Sequence, residues 1–149
     1  MKSVAVAAVG CRLMKDDGVG VKVAEAIKAP LARHKVDVII AETDFEYGFE
    51  AVRDYGHVIV IDAVRTGRRP GTVTVLPLEK TADALNISQH DASLIDMVRQ
   101  EDRMNACLIG IETAEVGFGF ELSKPLQREF RRICERVERE IKRILERGG

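Results

Sequence analysis

Two carboxylates and an imidazole stand where a divalent metal could be held. They are Asp17 in the run Lys15-Asp16-Asp17-Gly18-Val19-Gly20, Asp62 in Ile59-Val60-Ile61-Asp62-Ala63, and His90 in Ser88-Gln89-His90-Asp91. Imidazole favours borderline transition ions and the chain has no dense cage of oxygen ligands, so zinc, nickel or iron suits this set better than calcium. Each residue also has a plainer reading. Asp17 can cap the helix that begins at Gly18, Asp62 can bond backbone amides of the loop that follows its strand, and His90 can serve only as a helix-terminus residue. The conjunction of the three is what favours a site.

The elements that must position them follow from hydrophobic periodicity. Ser3 to Val9 is a near-continuous apolar run, the pattern of a strand buried on both faces of a parallel sheet. From Gly18, Val19, Val21, Val23, Ala24, Ala26 and Ile27 recur at helical spacing, and the helix is expected to end near Pro30 or shortly beyond. Val36 to Ala41 reads as a second strand, Phe45 to Tyr55 as a second helix and His57 to Asp62 as a third strand, which makes a βαβαβ series.

Further along, the turn-rich Thr66-Gly67-Arg68-Arg69-Pro70-Gly71 leads into Thr72 to Leu76. The alternating Val73 and Val75 there predict an edge strand paired as a hairpin with its predecessor. The stretch from Pro77 to Ile87 reads as irregular or short helix. Ser88 to Asp91 is a capping-box-like opening for a helix carrying Leu94, Ile95 and Val98. Ala106 to Ile111 is the last central strand. Ser123 then opens a long helix with the apolar stripe Leu126, Phe130, Ile133, Val137, Ile141 and Ile144.

Helices therefore alternate with strands, which predicts a three-layer α/β/α fold around a twisted, mostly parallel sheet of about five strands. In such sheets ligands collect beyond the carboxyl ends of the strands, where Asp17 and Asp62 fall. One domain over residues 1–149 is expected, since no repeat, low-complexity tract or linker interrupts the chain. At that length about two-thirds of the unfolded chain's surface is buried on folding.

Composition narrows the function. The 23 Lys and Arg against 24 Asp and Glu leave a formal net charge of -1, and aromatic residues make up only 5%, so neither nucleic-acid nor membrane-surface binding is expected. The three cysteines form neither a CxxC pair nor an even disulfide set, which points to a reducing compartment, the cytoplasm. The loop after the first strand, Gly10-Cys11-Arg12-Leu13-Met14, lacks a G-x-G-x-x-G fingerprint, and neither a Walker A motif nor a G-x-S-x-G elbow is present. Cys11 paired with His90 is a candidate nucleophile without an orienting partner, and a plain loop thiol is the simpler reading. Arg65, Arg68 and Arg69 flank the turn after Asp62 and can bind a partner's carboxylates, although such clusters are most often solvated surface.

Nearly the whole chain resembles the hydrogenase maturation endopeptidases. The resemblance rests on Val9-Gly10 followed by Asp16-Asp17-Gly18-Val19-Gly20, on Ile61-Asp62-Ala63 with Pro70-Gly71-Thr72 downstream, and on His90 ahead of a helix. It implies a phosphorylase/hydrolase-like fold and an endopeptidase that removes the C-terminal extension of a nickel-iron hydrogenase large-subunit precursor after nickel insertion. It also implies Asp17, Asp62 and His90 as the metal-ligating and catalytic positions. The nickel is expected to arrive in the precursor, and another divalent metal to substitute for it. A non-catalytic metal- or precursor-binding maturation factor on the same fold is the alternative. The chain departs from the family pattern in three places: Cys11 stands where an asparagine is usual, Asp44 lies in a segment without the common glycine-threonine motif, and Ser93 replaces the glycine before Leu94.

Overall fold

The computed structural model describes residues 2–78, 94–98, 100–101 and 104–148. In chain order the elements are β1 (Lys2–Val9), α1 (Val19–Ala32), β2 (Asp37–Glu42), α2 (Phe45–Val52), β3 (Tyr55–Val64), β4 (Val73–Pro77), β5 (Asn105–Glu112) and α3 (Lys124–Gly148). A single 3-10 turn, Asp16–Gly18, precedes α1, and residues 94–98 are helical.

The five strands form one sheet in the order β2-β1-β3-β5-β4. β1 pairs in parallel with β2 and β3, and β3 in parallel with β5. The Val- and Ile-rich runs of β1, β3 and β5 occupy the three inner positions because side chains on both of their faces are buried.

The edge strand departs from its expected pairing. β4 does lie at the edge, but it is not a hairpin partner of β3. It runs antiparallel to β5, from Val73 opposite Ile111 to Pro77 opposite Cys107. The place beside β3 is taken by β5, whose register matches it continuously from His57 opposite Asn105 to Val64 opposite Glu112. An apolar strand that buries both faces has more to gain from that inner slot than β4, whose residues are half-buried or, at Pro77, exposed. The turn between β3 and β4 therefore crosses the end of β5, where Gly71 N donates to Glu112 O at 2.8 Å and Glu112 N donates to Thr72 O at 2.9 Å.

Alternation along the strands splits the core into two layers. Val6, Ala8, Ile59, Ile61, Ile109 and Ile111 pack under α1 and α3, which contribute Val23, Ile27, Leu31, Leu126, Ile133, Val137 and Ile141. Ala5, Ala7, Val58, Val60 and Leu108 face the other way, toward Val52 of α2 and toward Leu94, Ile95 and Val98. The sheet thus lies between two helical layers. Among the described residues, no helix is long and apolar enough to cross a membrane.

Candidate functional site

The carboxyl ends of β1, β3 and β5 open onto one face of the molecule, and two glycines allow close backbone approaches there. Gly10, at φ 129°, lets the chain turn sharply after β1, and a Cβ at this position would lie 2.2 Å from Asp17 O. At Gly20 a Cβ would meet Ile61 O at 2.9 Å, so only glycine allows the start of α1 to press against β3 where Asp62 begins. The 3-10 turn holding Asp17 consequently packs on β3.

Asp17 is half-buried, and its Oδ2 accepts a hydrogen bond from Cys11 N at 2.9 Å. It does not cap α1, whose N-cap is Gly18. The carboxylate instead braces the loop from β1. Asp62 is fully buried at the end of β3, and its Oδ1 accepts from Ala63 N at 2.7 Å. That amide belongs to the next residue of β3 itself, not to the loop expected to supply it. In the strand alternation Asp62 shares the face of Val58 and Val60, the face covered by residues 94–98. His90 and the capping-box segment before that helix lie outside the described residues, as does most of the stretch from Pro77 to Ile87. Among the described residues, no group of three or more His, Cys, Asp or Glu side chains is arranged to hold a metal.

The residue that the sequence did not single out is Asp16. It is fully buried and makes four bonds to the chain after β5: Oδ2 accepts from Ala114 N (2.9 Å), Glu115 N (2.8 Å) and Ser123 Oγ (2.7 Å), and Oδ1 accepts from Ser123 N (2.7 Å). Ser123 stands where a helix cap is expected ahead of α3, yet its hydroxyl is given to Asp16. An Asp-Asp doublet before glycine is the sequence signal, but nothing local tells which aspartate turns inward.

The two segments so joined form a short ribbon. Lys15 N donates to Gly119 O (2.8 Å) and Gly119 N to Leu13 O (2.7 Å), while Asp16 N reaches Glu115 O (3.2 Å). Lys15 sits at φ 49°, a costly conformation for a residue with a side chain, and is held there by these bonds and by an ion pair with Glu115.

On the β2 side, Arg12 forms a bidentate pair with Glu25 on α1 (both contacts 2.7 Å) and donates from Nε to Glu42 Oε1 at 2.7 Å. The guanidinium holds the Glu25 carboxyl below its usual range, and the two acids push Arg12 still further up. A cleft of about 440 Å³ lies beside this pair, lined by Cys11, Leu13, Ala41, Thr43 and Asp44 as well as Arg12 and Glu42. Cys11 carries a free thiol at its edge.

On the β4 side another buried acid, Glu112, holds the turn after β3. Its Oε2 accepts from Thr66 N (2.9 Å) and Gly67 N (3.3 Å), and its Oε1 from Thr66 Oγ1 (2.5 Å). Of the arginines in that turn, Arg68 donates to Thr74 Oγ1 at 2.6 Å. Arg69 lines a shallow cleft with Glu129, Arg132 and Arg136 of α3. Arg132 above all holds the Glu129 carboxyl below its ordinary range.

Residues 21–140 match the hydrogenase maturation protease family, HycI. Among individual proteins, the hydrogenase 3 maturation protease of Escherichia coli (strain K12) is 26% identical over 134 residues, which covers 87% of this chain and 85% of that protein. The [NiFe] hydrogenase maturation protease HybD from Thermococcus kodakarensis superimposes with a TM-score of 0.70 at 27% identity, covering 93% of this chain and 98% of the other. The hydrogenase maturating endopeptidase HybD of E. coli has the same fold, with a TM-score of 0.75 at 20% identity over 96% of this chain and 93% of that one.

Proposed function

The chain belongs to the hydrogenase maturation protease family, and we propose from this that it cleaves the C-terminal extension from a nickel-iron hydrogenase large-subunit precursor once nickel is in place. In this reading Asp17, Asp62 and His90 meet the nickel that the precursor carries. The observation that supports it is the close approach at two glycines: Gly10 presses the loop after β1 onto the Asp17 backbone, and Gly20 presses the start of α1 onto β3 at Ile61 and Asp62. The face that Asp62 shares with residues 94–98 adds support, because His90 lies a few residues ahead of that helical segment in the chain.

Nickel enters as part of the substrate. Held by precursor cysteines, it gains ligands from the protease, and the scissile bond is drawn to the crevice in the process. The ion would then act as a check that maturation is complete, and as a Lewis acid it would polarise the peptide carbonyl, unless one of the carboxylates serves as general base instead. Asp17 and Asp62 remain anchored by Cys11 N and Ala63 N, so ligation finds their carboxylates already oriented.

Mass spectrometry of a nickel-loaded precursor incubated with the protein, beside a nickel-free control, tests the proposal. Nickel-dependent loss of a C-terminal peptide is expected, and Asp62→Ala or His90→Ala should abolish it. Normal processing by either variant removes the proposed ligand set. Stable complex formation without cleavage by the wild-type protein would favour the binding-only maturation factor.

A further inference from the structure

Exposed apolar side chains are concentrated in one place. Of the six large hydrophobic residues exposed among the described residues, five lie on the ribbon that Asp16 ties together: Leu13, Met14, Val116, Phe118 and Phe120. Phe118 is 78% exposed and Phe120 68%. In a chain with 5% aromatic residues, two phenylalanines held in water two positions apart are not packing material for its own core.

The ribbon is held rigidly and is continuous with the candidate site. Asp16 fixes its far strand through Ala114, Glu115 and Ser123, and Lys22 Nζ donates to Phe120 O at 2.5 Å. Met14 O, on the near strand, accepts from Asp17 N at 3.1 Å. One pair of charges on the ribbon is already matched, Lys15 with Glu115. What remains for a partner is apolar contact, and the surface above Gly117 is open, because a Cβ there would meet nothing within 4 Å.

We propose that the Leu13-Met14 and Val116–Phe120 ribbon is the docking surface for the protein substrate, and that it grips an apolar stretch of the precursor beside the segment to be cut. This rests on the protease reading above for the identity of the partner. A protease that acts on a protein has to hold that chain next to its site, and among the described residues this rim is the exposed apolar surface joined to the Asp17 loop by backbone bonds. Two large, rigid aromatic anchors that lose no fold stability when left exposed are the side chains expected to dominate such an interface.

The test compares wild-type protein with Phe118→Ser/Phe120→Ser and Phe118→Leu/Phe120→Leu by titration calorimetry against purified precursor, with processing followed in parallel. Both positions are solvated, so thermal unfolding of the variants should match wild type. The serine pair should weaken precursor binding about tenfold or more and raise KM correspondingly, and the leucine pair should restore most of the affinity. Wild-type affinity in the serine pair would overturn the proposal, as would failure of the wild-type protein to bind precursor at all. Loss of a concentration-dependent dimer in the serine pair, with precursor binding intact, would also overturn it in favour of self-association. Rim-dependent binding without any cleavage would sustain the docking surface while removing the protease reading.

Discussion

The loop pair beside Asp17 and the turn after β3 flank the same strand ends and are locked by the same device, yet they offer opposite chemistry. In each, a buried carboxylate from one segment accepts backbone amides from another: Asp16 clamps residues 114–123, and Glu112 clamps Thr66 and Gly67. The first rim presents leucine, methionine and phenylalanine to solvent, the second arginine. A carboxylate that accepts several amides fixes a loop without using the loop's own side chains. Those side chains are then released for display, and their identity is set by what they must meet.

The two clamps differ in depth, and that difference can be measured. Asp16 is sealed from water with both oxygens engaged, so Asp16→Ala strands the buried amide and hydroxyl of Ser123 together with two part-buried amides. It should cost about 4 kcal/mol in urea unfolding and speed amide exchange in residues 113–123. Glu112→Ala frees a turn that water can reach, and about 2 kcal/mol is expected from the same measurement. Equal losses would mean that depth is not what separates the two rims.

The opposite end of the sheet supplies the smallest effect. There Tyr55 Oη donates to Asp37 Oδ2 at 2.5 Å, and the carboxylate, with some help from burial, pushes the tyrosine up to about 12. The folded state thus holds this proton more tightly than the unfolded chain, where tyrosine titrates near 10. Its contribution is fully present below about pH 10 and is lost as pH rises from there toward 12. Tyr55→Phe should cost about 1 kcal/mol at neutral pH and flatten that alkaline decline in a stability-against-pH series. An unchanged decline would place its origin elsewhere.

Much of this molecule is legible in one dimension. The apolar runs of β1, β3 and β5 and the striped α3 are periodic signals that depend on near neighbours, so the layered fold followed from them. The resemblance at Asp17, Asp62 and His90 was legible as well, because motif spacing survives in the chain itself. Boundaries moved by a residue or a few: α2 stops at Val52 rather than Tyr55, since Tyr55 already belongs to β3.

What the sequence by itself determined is therefore the order of elements, the faces they bury and the strand ends at which carboxylates gather. Only the tertiary structure decided that β5 would slip between β3 and β4, because an edge strand chooses its partner by competition among distant segments and carries no local mark of the outcome. Only the tertiary structure could separate Asp16 from Asp17. The two adjacent aspartates have the same chemistry and nearly the same neighbours in sequence, but the partners that claim Asp16 lie 98 to 107 residues away. A hydrogen-bond acceptor becomes a clamp or a candidate ligand according to which amides reach it first, and that is settled by the fold.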